Sequence, residues 1–181
     1  EIVYTRTNLD GNKDIWKVDT RTGLAERLTD ADEIDISADW SPDGQSIIFS
    51  SERGGKLGLW TISSSGGKRL KLNRGGYGPR YSPDGTAILY WHEGSLWTAG
   101  TDGTRPQEIA TASNPISGVW GRTALAFFAG GTIRTSEGEI TGLSGRIFPW
   151  FDDHPQGGWL VSSIEIEKTE LWALDLTFRE Y

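Results

Sequence analysis

The sequence contains no cysteine. That excludes disulfide staples, thiolate metal ligands and a cysteine nucleophile, and it leaves the redox compartment open. No apolar run approaches the roughly 20 residues that a membrane-spanning helix needs, so membrane insertion is not expected. Basic residues are in the minority, 18 Lys and Arg against 25 Asp and Glu, for a formal net charge of −7. Nucleic-acid binding requires a clustered basic face, and nucleic acid is therefore excluded as an expected partner. Neither an initiator methionine nor a basic-then-apolar leader opens the chain at Glu1, so the sequence does not assign a compartment.

What the sequence does carry is a repeat. Trp40-Ser41-Pro42-Asp43-Gly44, followed by the apolar stretch Ile47-Ile48-Phe49, recurs about 40 residues later as Tyr81-Ser82-Pro83-Asp84-Gly85 and Ile88-Leu89-Tyr90. A period near 40, with a turn tetrad between aromatic-rich extended segments, is the pattern of a β-propeller built from four-stranded blades. The tetrad is a turn for local reasons. Proline pre-sets φ, aspartate accepts from nearby amides, and glycine takes the positive φ that closes the reversal.

Trp16, Trp60, Trp97 and Trp172 mark the third strand of successive blades. Their spacings are close to one period, except the last, which is close to two. Thr132-Ile133-Arg134-Thr135 fills that gap as the third strand of a blade without its tryptophan. Glycine-bearing segments such as Asp10-Gly11-Asn12, Gly54-Gly55 and Glu93-Gly94 supply the hairpins between the second and third strands. With nine tryptophans, each able to bury about 150–250 Å², the aromatics are expected to form the core between blades.

The fold class is accordingly all-β, a propeller of four-stranded antiparallel blades. About five blades are expected, with the first and last incomplete. Their ranges are residues 2–29 (partial), 34–72, 77–110, 116–142 and 146–178 (partial), read as a single propeller domain or a portion of one over residues 1–181. An open ring would expose unpaired strand edges. The natural polypeptide is therefore expected to extend beyond Glu1 and to supply the strands that close it.

At Ser41 to Gly44, at Ser82 to Gly85 and at the Leu-Trp strands Leu59-Trp60, Leu96-Trp97 and Leu171-Trp172, the chain resembles the TolB-like propeller class. The resemblance covers nearly the whole chain and implies a repeat architecture rather than a chemistry. Propellers of this kind occur fused to regulators, kinases or peptidases and in the periplasmic Tol component. An extracytoplasmic setting is what the resemblance implies.

Few residues suggest chemistry. Asp10-Gly11-Asn12-Lys13-Asp14 opens like a calcium loop. It has Ile15 where such a loop needs glycine and Arg21 where it needs a bidentate glutamate, so a polar hairpin tip is the better reading. Asp30, Asp32, Glu33 and Asp35 form a second acidic run, read as a solvated linker between blades. His92 and His154 sit in separate turns, and no Gly-x-Ser-x-Gly elbow accompanies them. No catalytic residue, metal or cofactor is expected.

The case for a site is geometric. Innermost strands line the central channel of a propeller, and side chains from several blades converge at its mouth. Asp35, Asp39, Tyr77, Arg80 and Arg146 are the polar and aromatic members of the expected inner strands. They are the candidate site for a protein or peptide partner, or for a small ligand. Channel-lining groups hydrated by water, or an Asp39–Arg80 ion pair between blades, are the structural alternatives. The expected function is a non-catalytic binding scaffold within a larger protein. An accessory propeller of a serine peptidase, similar to the prolyl oligopeptidase and tricorn families, is the alternative, and a metal-dependent polysaccharide lyase of the propeller type is a third reading.

Overall fold

The computed structural model describes residues 1–111 and, beyond them, six further strands. It contains two compact units. The first comprises residues 1–93 and 97–109; the second comprises residues 94–96 and 110–181.

The chain opens with a three-stranded sheet of β1 (Ile2–Thr7), β2 (Lys13–Val18) and β3 (Ala25–Arg27), in that order. Next comes a four-stranded sheet of β4 (Asp35–Trp40), β5 (Ser46–Arg53), β6 (Lys56–Ser63) and β7 (Leu70–Gly75). A third sheet holds β8 (Tyr77–Tyr81), β9 (Ala87–His92), β10 (Ser95–Gly100) and β11 (Gln107–Thr111). Each is a meander of sequence neighbours, which is how a propeller blade is wound. The first sheet lacks an inner strand, in line with the partial blade expected there.

In the second unit, β12 (Gly118–Trp120), β13 (Leu125–Ala129), β14 (Thr132–Thr135) and β15 (Gly138–Ile140) form another antiparallel meander. The strand expected over Thr132–Thr135 is its third member. β16 (Arg146–Phe148) pairs antiparallel with β17 (Ser163–Glu165). Trp172, His154 and the remainder of the last blade lie outside the described residues.

The Ser-Pro-Asp-Gly segments close the β4–β5 and β8–β9 turns identically. Gly44 N donates to Ser41 O (2.8 Å) and Gly85 N to Ser82 O (2.9 Å). Asp43 Oδ1 accepts from Ser41 Oγ (2.6 Å) and Gln45 N (3.0 Å); Asp84 Oδ1 accepts from Ser82 Oγ (2.7 Å) and Thr86 N (3.0 Å). These hydrogen bonds, made to the charged form, hold both carboxyls below the ordinary carboxylate range.

The apolar run of β5 serves two seams because successive side chains of a strand point to opposite faces. Ile47 and Phe49 pack with Ile62 against Ile15 and Leu28 of the first sheet. Ile48 packs with Leu59 and Leu72 against Ile88, Tyr90 and Ala99 of the third. Among the described residues the buried core is thus mainly aliphatic, with Phe49, Tyr90 and Trp91 as its aromatics. Among the described tryptophans Trp91 is buried in the core, and the third-strand ones border it. Trp16, Trp60 and Trp97 are half-buried at its margin, each beside a basic side chain. Arg6 lies 4.6 Å over Trp16, Arg53 4.4 Å over Trp60, and His92 meets Trp97 edge-on at 6.2 Å. An indole is large, so it covers the rim of a seam more readily than it fills the middle.

The inner strands β4 and β8 share one irregularity. Ile36 pairs with Ser50 and Asp39 with Ile48; Tyr77 pairs with Trp91 and Arg80 with Leu89. One extra residue is therefore accommodated at matching places, a β-bulge in each strand. Ser37 (φ 56°) and Gly78 (φ 62°) hold the left-handed conformation this requires. For serine that conformation is strained. Replacing Ser37 by glycine is expected to raise stability by about 0.5–1 kcal/mol, the relieved strain exceeding the added freedom of the unfolded chain. Urea denaturation checks this, and a loss of stability would contradict it.

Candidate functional site

The five candidate side chains occupy three different situations. Asp35, at the start of β4, has a side chain that is 0% exposed. It stands opposite Ser51 of β5. Arg69 Nη1 lies 3.7 Å from its Oδ2, too far for a hydrogen bond, and neither carboxylate oxygen completes one. Burial pushes its pKa up. The nearby Ser51 and Thr29 hydroxyls and the Arg53 and Arg69 guanidinium groups only partly counter that. Asp35 is therefore an interior group of the β4–β7 sheet rather than one open to the mouth.

Asp39 lies beyond the bulge of β4, and its Oδ2 accepts from the backbone N–H of Tyr81 on β8 (2.8 Å). Burial raises its pKa, against the opposing influence of the Tyr81 amide and the Arg80 charge. Its structural task is to tie two inner strands together. Arg80 completes the tie from the other side, its Nη1 donating to the carbonyls of Ala38 (3.4 Å) and Pro79 (3.2 Å). In place of the Asp39–Arg80 ion pair weighed as a structural alternative, both side chains bond to backbone groups. No Asp39–Arg80 ion pair within 4.0 Å occurs among the described residues.

Tyr77 and Arg80 are the exposed members, Tyr77 by 38%. They flank Gly78 and the fully buried Pro79, so the bulge of β8 sets two exposed side chains on a rigid inner strand. Among the described residues Arg80 makes no ion pair, and its recorded hydrogen bonds use Nη1 alone. Arg146 opens β16, and its side chain lies outside the described residues.

Elsewhere the acidic positions are occupied by internal work. Asp14, also 0% exposed, accepts from Arg27 Nη2 (2.7 Å) and Asn8 Nδ2 (2.6 Å). Asn12 bonds Asp10 Oδ1 through its backbone amide (3.1 Å) and Ala31 O through its side chain (2.7 Å). The Asp10–Asp14 run is thus a hydrogen-bonded hairpin tip whose last carboxylate turns to an arginine. In the second acidic run, Asp30 pairs with Arg69 (3.2 Å) and Glu33 with Arg53 (3.0 Å). Sequence reasoning passed over both arginines, although Arg53 is one residue after an acidic residue of β5 and ends that strand. Their role depends on pairing across the sheet, which no local pattern records.

Residues 2–114 match the TolB beta propeller domain family. The chain belongs to that family. Over 105 residues this TolB-type propeller is 35% identical to the Tol-Pal system protein TolB of Anaeromyxobacter sp. (strain K), covering 53% of the chain and 24% of that protein. It is 29% identical over 185 residues to the uncharacterized peptidase YuxL of Bacillus subtilis (strain 168), covering 92% of the chain and 28% of that protein. The crystal structure of TolB from Acinetobacter baumannii superposes with a TM-score of 0.68 at 18% identity, over 91% of this chain and 46% of that one. This TolB-type propeller spans about a quarter of the length of the curated relatives it matches.

Proposed function

We propose that the chain is a non-catalytic binding module of a larger protein, and that it holds a protein or peptide segment at its inner strands. The observation that supports this reading is the exposed Tyr77–Arg80 pair on β8. Tyrosine and arginine are the residue types that dominate binding energy at interfaces. Here both are carried by a strand whose backbone is fixed, which lowers the entropy lost on binding. A guanidinium held by two carbonyls and by no carboxylate suits a partner segment that carries an acidic group. Asp39 contributes indirectly, by fixing the position of the strand.

Arg80→Glu and Tyr77→Ala are each expected to weaken capture of the partner by about tenfold or more, the usual loss at an interface anchor. Thermal denaturation should show both variants still folded. Unchanged capture by both, measured by pull-down and titration with the full-length protein, would overturn the reading.

A second reading is favoured by one observation, the match of 92% of the chain to a protein described as a peptidase. In that reading the propeller is the accessory domain of a hydrolase whose catalytic residues lie outside this chain, and Tyr77 and Arg80 meet the substrate instead of a separate partner. Peptidase assay of the full-length polypeptide, with and without Arg80→Glu, separates the two. Activity that responds to the substitution supports the second.

A further inference from the structure

Among the described residues the buried polar atoms without hydrogen-bond partners are the indole Nε1 atoms of Trp16, Trp40, Trp97 and Trp120 and four atoms on three charged side chains: both carboxylate oxygens of Asp35, Nη2 of Arg53 and Nη1 of Arg69. The four charged-group atoms belong to one neighbourhood. Arg69 Nη1 is 3.7 Å from Asp35 Oδ2, and both guanidinium groups act on the Asp35 carboxyl. The other ends of the two arginines are already engaged, Arg53 Nη1 by Glu33 (3.0 Å), Arg53 Nε by Ser51 Oγ (3.2 Å) and Arg69 Nη2 by Asp30 (3.2 Å). Buried donors and acceptors of this strength are costly to leave unmade, and native proteins satisfy nearly all of them.

The charges select what can satisfy these. Three carboxylates face two guanidinium groups, so a further anion would be repelled. Two guanidinium N–H groups turned inward would repel a metal ion or an ammonium group. A small neutral molecule that both donates and accepts fits: two acceptor sites for the two N–H groups and two donors for the two carboxylate oxygens. We propose that the Asp35–Arg53–Arg69 cell is a built binding site for internal water, in which an ordered water accepts from the guanidinium groups and donates to Asp35. Such a water joins the start of β4, the end of β5 and the approach to β7, so the inner and outer strands of this sheet are coupled through it.

A high-resolution crystal structure of the wild-type protein should show a water within hydrogen-bond distance of an Asp35 oxygen and of Arg53 Nη2 or Arg69 Nη1. Oxygen-17 magnetic relaxation dispersion in solution should count one fewer long-lived internal water in Asp35→Leu than in the wild type, and Asp35→Asn, which keeps hydrogen-bonding groups there, should retain it. Direct closure of Arg69 onto Asp35 with no water between them would overturn the proposal. So would an unchanged water count in Asp35→Leu. If Asp35→Leu does not fold, the wild-type crystal structure alone decides the matter.

Discussion

Gly76→Ala is expected to destabilise the protein by about 3 kcal/mol, a large share of the 5–15 kcal/mol typical of a folded domain. Gly76 sits between β7 and β8, where the chain leaves the outer strand of one sheet and enters the inner strand of the next. Its φ of 153° is one that residues with side chains rarely adopt. A Cβ placed there would lie 2.8 Å from Cδ2 of Tyr90 and 3.0 Å from the carbonyl oxygen of Trp91. Neither neighbour can give way, since Tyr90 is packed in the seam against Ile48 and Leu59 and Trp91 is buried.

The substitution therefore combines backbone strain with overpacking, and relieving either would displace β8 and the Tyr77–Arg80 pair that follows. Gly78→Ala provides the control. Its left-handed φ of 62° is one that other residues can adopt at modest cost, and the added Cβ would meet only Trp91 Cδ1 at 3.9 Å, an ordinary contact. A loss of about 1 kcal/mol is expected there. Urea denaturation of both variants checks this order; equal losses would show that neither the contact with Tyr90 and Trp91 nor the more extreme φ at Gly76 carries weight.

The contrast between Gly76 and the turn tetrads shows how far the sequence can be read. Ser41 to Gly44 and Ser82 to Gly85 form their turns by hydrogen bonds within six residues, and the alternation of β5 and β9 follows from strand geometry alone. Both were legible because their causes are local. The inner-strand bulges were not. Each inserts one residue, at Ser37 and at Gly78, and from that point the alternation of facing directions is inverted relative to a regular strand. Grouping Asp35 with Asp39 among the inner-strand candidates takes no account of that step. Asp35 is enclosed by side chains from β5 and from the approach to β7, and Asp39 is bound to the next inner strand. Tyr77 and Arg80 were identified by position and do stand exposed, but their rigidity comes from the bulge and the buried Pro79 between them. The placement of Trp16, Trp60 and Trp97 at the seam margin likewise depends on partners, Arg6, Arg53 and His92, that lie at no fixed spacing from them.

Phe49→Ala is expected to cost about 3–5 kcal/mol, the range for removing a fully buried aromatic from a packed core. Phe49 is 0% exposed and packs with Ile15, Leu28, Ile47 and Ile62 in the seam between the first two sheets. Those neighbours extend from the backbones of three different strands and the end of the first sheet, so they cannot close over the cavity without moving a whole sheet. Phe49→Leu, which keeps most of the volume, should lose less than about 1.5 kcal/mol.

The form of the transition carries further information. β5 presents Ile48 to the other seam from the residue next to Phe49, so loosening one seam shifts the strand that serves both. The midpoint in urea is therefore expected to fall with an unchanged slope and a single transition. A separate early transition in Phe49→Ala would mean that the first sheet detaches on its own. The inner-strand tie through Asp39 and Tyr81 would then belong to a smaller rigid unit, and the binding face would rest on the second and third sheets alone.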